Sequence, residues 1–262
     1  MPPDAAYDFL VLAEDRAAAE NARILADRVA IELSRTDVAF DWFDADSIDT
    51  FRSWRSDPYG AAWWPLHGFA AQARIAADGD RPGFRARIHG TYSEKDNDER
   101  VFRGAIVGLN ALDKDPDLVV LAKDSDAKSL RGAFETALAR FDGALGAQVV
   151  LAEMRPEAQA WRIVAFEPAS DAEHEALAAL RAELGHDARD AERLTSKKAG
   201  KRDAKTVLIA LTGDDEARGL AALNRPMAAL RGVPSHCGLP AYLADVEGAL
   251  KAVVSQSGHT PG

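Results

Sequence analysis

Cys237 is the chain's one cysteine, so neither an internal disulfide nor a multi-cysteine metal site can form. Such sparing use fits a reducing cytoplasm, and Cys237 itself is expected to be an inert small residue in a loop. Long apolar runs are also missing. None approaches the roughly 18 to 20 residues that span a bilayer, and the opening MPPDAAYDF lacks the basic-then-apolar order of a signal peptide. Basic residues are in the minority, 32 Lys and Arg against 42 Asp and Glu, for a net charge of -10. This excludes wholesale coating of nucleic acid but not a local basic patch. The histidines (His67, His89, His174, His186, His236 and His259) show no HxxxH-type spacing, so none is assigned to a metal. What is present is 262 residues, 47% apolar and 28% charged, enough for one large domain or two modest ones.

YDFLVLAED at 7–15 predicts a buried strand ending in acids, and the following DRAAAENARILADRVAIEL a helix free of Gly and Pro. DVAFDWF at 37–43 alternates Val38, Phe40 and Trp42 and predicts a strand. The stretch 45–90 holds three of the five tryptophans, with Pro58, Pro65 and Pro82, and is expected to be an insertion or long ordered loop. NDERVFRGAIVGLNAL at 97–112 predicts an amphipathic helix, DLVVLA at 117–122 a strand covered on both sides, KSLRGAFETALARF a second helix, and AQVVLAE at 147–153 another two-sided strand.

This alternation predicts an α/β fold with a mostly parallel sheet flanked by helices. From about 168 onward the chain is expected to be a helical region packed on a core of 1–167. In that region Ser170 and Glu173 form a capping box, and Gly185 stops the helix they start. Residues 192–205, ERLTSKKAGKRDAK, are the one basic cluster: Arg193, Lys197, Lys198, Lys201, Arg202 and Lys205 against Glu192 and Asp203.

In a parallel sheet the carboxyl ends of the strands share one edge, where ligands bind. Glu14 and Asp15 end the first strand, Asp124 and Asp126 a later one, and Glu153 the strand after that. Like charges gathered there raise one another's pKa unless a cation neutralises them, and an all-oxygen set suits hard cations, Mg2+ or Mn2+. Taken singly, Asp124, Ser125 and Asp126 would serve as helix caps, and Asp15 is expected to cap or face solvent. Trp161 is expected in the core. Of the adjacent Trp63 and Trp64, one is expected to be free for stacking.

An acid after the first strand followed by Asp-x-Asp after a later one resembles the Toprim family, the topoisomerase and primase domain shared with bacterial defence nucleases. The matching positions are Glu14 in VLAED and Asp124 and Asp126 in AKDSD, with Gly90 in IHGT as a weaker match. The downstream order is similar to Toprim-like proteins of antiphage loci, with Glu157 before Trp161 in PEAQAW and a Lys-rich stretch ending at Lys205. The resemblance covers 7–166 well and the rest loosely, and the distance from Glu14 to Asp124 exceeds a minimal Toprim core.

It implies a Toprim or Rossmann-like fold in which Glu14, Asp124, Asp126 and Glu157 hold Mg2+ or Mn2+ and Lys205 steadies phosphoryl charge. The implied activity is that of a cytoplasmic endonuclease. The implied partners are DNA or RNA, bound at 193–205, and an ATPase of the ABC or AAA type. With no tyrosine near the motifs, hydrolysis is expected rather than transesterification. Two other readings stand beside it. One is a receiver-like phosphoacceptor domain with Asp44 in FDAD as acceptor, and the other is a Toprim-shaped scaffold that docks to an ATPase without cutting.

Overall fold

The computed structural model describes residues 6–76, 97–125, 128–141, 145–198 and 200–256. Strand β1 (Tyr7–Ala13) leads into α1 (Arg16–Thr36), whose first turn is capped by Asp15 accepting the Ala18 N–H at 2.8 Å. Then come α2 (Ile48–Phe51), β2 (Arg52–Trp54), β3 (Trp64–Pro65) and α3 (Phe69–Ala76). The central unit is α4 (Asn97–Leu109), β4 (Leu118–Asp124), α5 (Arg131–Ala139), β5 (Gln148–Met154) and α6 (Ala158–Val164). It is followed by α7 (Asp171–Leu184), α8 (Ala204–Thr212), α9 (Glu216–Ala221), α10 (Met227–Arg231) and α11 (Leu239–Gln256). None of the described helices is long and apolar enough to cross a membrane.

The five strands form one parallel sheet in the order β2-β1-β4-β5, with β3 on the same edge of β1 as β2. Arg52–Trp54 pairs with the beginning of β1, and Trp64–Pro65 with its end. Side chains alternate between two buried faces, as a sheet covered on both sides requires. Phe9, Val11, Val120, Ala122, Ala152 and Met154 face the larger core, closed by α1, α6, α8 and α11. Leu10, Leu12, Val119, Leu121 and Leu151 face a second core beneath α3, α4 and α5. The fold is therefore a Rossmann-like α/β arrangement with a helical C-terminal region.

That region is fastened to the sheet. Trp161 is fully buried, stacks on Tyr242 of α11 with centroids 5.2 Å apart, and donates to the Cys237 carbonyl, while the Tyr242 hydroxyl donates to the Ala22 carbonyl. Gly238 has φ +86, and a Cβ there would lie 1.9 Å from the Glu153 carbonyl oxygen, so only glycine lets the turn before α11 lie against β5. Cys237 is buried in that turn, and burial pushes its thiol up to about 11, as an inert cysteine requires. The expected capping box of α7 is half present: Ser170 accepts the Glu173 N–H, but the Glu173 carboxylate accepts the N–H of Ala169 instead of Ser170, and Gly185, with φ +75, ends the helix.

Two expectations fail. Residues 37–43 are not a strand. Asp37 caps a 3-10 turn over Val38–Phe40, in which Phe40 is buried and Val38 is 72% exposed, so the period-two pattern comes from a turn with one side inward. The stretch beginning at 45 is not free of regular structure either, since β2, β3 and α3 lie within it. Arg52 is held there by a bidentate pair with Asp27 of α1, both contacts at 2.6 Å.

Candidate functional site

Because the sheet is parallel, Glu14, Asp124 and Glu157 follow β1, end β4 and follow β5 on one rim. The Glu14 backbone N–H continues the ladder to the Ala122 carbonyl at 3.2 Å, which points its side chain to the α4 side of the sheet. There its Oε1 accepts from Lys123 Nζ at 2.5 Å and lies 3.0 Å from His67 Nε2, and its Oε2 accepts the Asp124 N–H at 3.1 Å. Lys123, only 9% exposed, also stands 3.7 Å from Asp98 at the start of α4. Burial pushes the Glu14 carboxyl up, but Lys123, His67 and the Asp124 N–H together outweigh it and hold it below the usual glutamate range.

Asp124 is one residue further along β4 and points to the opposite face. It accepts the backbone N–H of Ala158 at the start of α6, and its Oδ1 is buried with no hydrogen-bond partner. Burial, and then the charges of Asp15, Glu14 and Glu157, push its carboxyl up to about 8. Asp124 is not the cap of the helix that follows it, because α5 begins at Arg131 and has no side-chain cap. Glu157 accepts the Lys205 backbone N–H at 2.9 Å. Burial and the neighbouring Asp203 carboxylate raise its pKa, offset in part by that N–H. Asp203 caps α8 by accepting the Thr206 N–H and hydroxyl, so the basic stretch ends against the rim.

The other sequence candidates separate cleanly. Glu153 is structural, since it is 5% exposed, accepts the Leu130 N–H at 2.7 Å and pairs with Arg155 at 2.6 Å. Asp126 and Gly90 lie outside the described residues. Trp64 is buried edge-on against Phe69, and Trp63 is half-buried against the larger core, so neither is a free stacking platform. Lys197, Lys198 and Arg202 are exposed, and Lys201 pairs with Glu183 at 3.2 Å. Asp44 caps a 3-10 turn ahead of α2 instead of ending a strand, which removes the acceptor position that a receiver domain needs.

Sequence reasoning passed over Lys123, a charge inside an otherwise apolar strand, and Asp203, hidden among basic neighbours. The first carried a signal, because a buried lysine needs an acid, and Glu14 was the acid already placed on that rim. Among the described residues no group of three or more His, Cys, Asp or Glu side chains is set to hold a metal ion. Asp124 has a buried carboxylate oxygen without a partner, and Asp15, Glu14 and Glu157 are charged close enough to raise its pKa, whereas both Glu14 oxygens are already engaged on the opposite face. Comparison with protein-family models, curated sequences and solved structures returned no match.

Proposed function

We propose that the chain is a metal-dependent phosphodiester hydrolase, an endonuclease with a Toprim-like site, working in bacterial antiphage defence beside an ATPase of the ABC or AAA type. The observation that carries the reading is Asp124: a carboxylate buried at the sheet rim, with an oxygen lacking any partner and three further carboxylates raising its pKa. Such an arrangement costs stability unless something positive completes it. Asp124, Glu157 and the sequence-assigned Asp126, together with Glu14 if it exchanged its Lys123 contact for the cation, would hold Mg2+ or Mn2+, which when bound supplies charge for a phosphoryl oxygen and acidity for a water. Lys205, whose backbone anchors Glu157, would meet the negative charge of a substrate phosphate. The exposed basic residues from 193 onward would contact the nucleic-acid backbone and orient the strand without reading its sequence.

The test is a cleavage assay of the purified chain on plasmid DNA and structured RNA with Mg2+ or Mn2+, alone and with a neighbouring ATPase. Loss of cleavage in both Asp124→Ala and Glu14→Ala supports the assignment, and unchanged cleavage in both ends it. A second reading rests on Lys123, whose ammonium already neutralises Glu14 from within the fold. It favours a Toprim-shaped subunit that docks to the ATPase without cutting, and a stable complex with no cleavage under any metal would select it.

A further inference from the structure

Val119 and Leu121 of β4 lie on one face of the strand, fully buried in the core beneath α4, and an apolar residue two positions on would extend that core. The chain places Lys123 there instead, the one buried lysine among the described residues. A buried ion pair often contributes no more stability than well-packed apolar side chains of similar volume. The fold therefore gains little from an ammonium at this position unless the charge serves a further purpose.

Lys123 stands between two carboxylates. Its Nζ donates to Glu14 Oε1 at 2.5 Å and lies 3.7 Å from Asp98 Oδ1, an ion pair too long for a hydrogen bond. The two acids belong to different elements: Glu14 follows β1 at the rim, and Asp98 is in the first turn of α4. A lysine carries its point charge on a flexible four-carbon stem, so the ammonium can favour either acid while the strand stays in place. Glu14 has a further partner in His67 at 3.0 Å, but that imidazole is exposed. Lys123 is the contact that neutralises Glu14 from inside the fold.

Glu14 can give an oxygen to a divalent cation only when the ammonium withdraws from it, and Asp98 is the acid within reach to receive that ammonium. We infer that Lys123 is an exchangeable counter-ion. Without metal it holds Glu14; with metal it passes to Asp98 and leaves the Glu14 carboxylate to a cation shared with Asp124. The ammonium keeps an acid beside it in both states, so the exchange avoids the cost of an unpaired buried charge. In the second state Lys123 ties β4 to α4, so cation affinity and the seating of the first turn of α4 are coupled, each strengthening the other. This inference rests on the hydrolase reading and names the regulation of its metal site.

The experiment measures the Mn2+ affinity of the full chain, from the electron paramagnetic resonance of free Mn2+, for the wild type, Lys123→Met, Asp98→Asn and the double variant. Lys123→Met is expected to tighten binding about tenfold, and Asp98→Asn, which keeps the shape of a half-buried side chain, to weaken it about fivefold. In the Lys123→Met background Asp98→Asn is expected to change the affinity by no more than about twofold, because no ammonium is left for Asp98 to receive. Additive effects would mean that both charges act on the cation only through space, and would overturn the exchange. Unchanged affinity in Asp98→Asn would overturn it too, and decides the question alone if Lys123→Met does not fold. If all four proteins bind Mn2+ alike, the exchange falls while the metal site of the hydrolase reading stands; if none binds, both fall. If the affinities respond as expected but no nucleic acid is cut, the exchange stands and the hydrolase reading falls.

Discussion

The two faces of the sheet treat their rim carboxylates in opposite ways. On the α4 side Glu14 is enclosed by Lys123 and His67, and its pKa is held low. On the α6 side Asp124, Asp15, Glu157 and Asp203 influence one another with no buried ammonium among the described residues there, and the Asp124 pKa rises to about 8. Adjacent residues of one strand, Lys123 and Asp124, belong to these two settings because side chains alternate along β4. On the first side the carboxylate is balanced within the fold, and on the second it is not.

The largest effect expected from disturbing this contrast is on chemistry. Asp124→Ala removes the unpartnered oxygen at the rim and should lower metal-dependent cleavage by about a thousandfold, while Asp124→Glu keeps the charge and restores part of it. Initial rates with Mg2+ measure this, and rates within a factor of a few of wild type would refute the role. Next comes Lys123→Met, which leaves Glu14 buried without its counter-ion. A loss of ~2 kcal/mol at neutral pH is expected, below the full value for a buried pair because Glu14 is partly exposed. The loss should shrink in acid, where Glu14 is neutral. Urea unfolding at two pH values reads both, and a pH-independent loss would mean that Lys123 acts through packing alone.

Of similar size is the pH response of Asp124. Its folded pKa lies above its unfolded one, so the folded state holds the extra proton between them. The stability this gives is full below the unfolded value and disappears as pH rises through about 8. Asp124→Asn imitates the protonated form and should overtake the wild type by on the order of 2 kcal/mol between pH 6 and pH 9. Parallel stability curves for the two proteins would contradict this. Saturating Mg2+ should flatten the wild-type curve if the cation replaces the proton. The smallest effect is expected from His67→Ala, about 0.5 kcal/mol or less, because His67 is exposed and Lys123 remains on Glu14. A melting temperature lowered as far as by Lys123→Met would show that His67, and not Lys123, completes that side.

Much of the framework was legible because it depends on local pattern. The unbroken apolar runs of β1, β4 and β5, the helical periodicity of α4 and α5, and the Ser170 to Gly185 span of α7 each specify themselves. The sheet edge was not legible. β2 is three residues long and contains Arg52, and β3 is two residues long, so no periodicity can develop in either. What makes them strands is tertiary: pairing with β1, and the Arg52 to Asp27 contact across to α1. The same division applies to the site. That Glu14 and Asp124 share a rim follows from strand parallelism, whereas the burial that perturbs Asp124 and the arrival of Asp203 and Lys205 depend on how α6 and α8 pack.

The turn at Gly238 joins a late-made helix to an early-made sheet. The larger core behind Asp124 is closed by α11, which the ribosome makes long after β5, and Tyr242 of α11 must reach both Trp161 and the Ala22 carbonyl. A nascent chain with β1, β4 and β5 complete therefore has its rim acids before the core beneath them is closed. A chain that ends before Tyr242 would lack both its stack on Trp161 and its bond to Ala22, and would keep the sheet without the helix that closes its larger core.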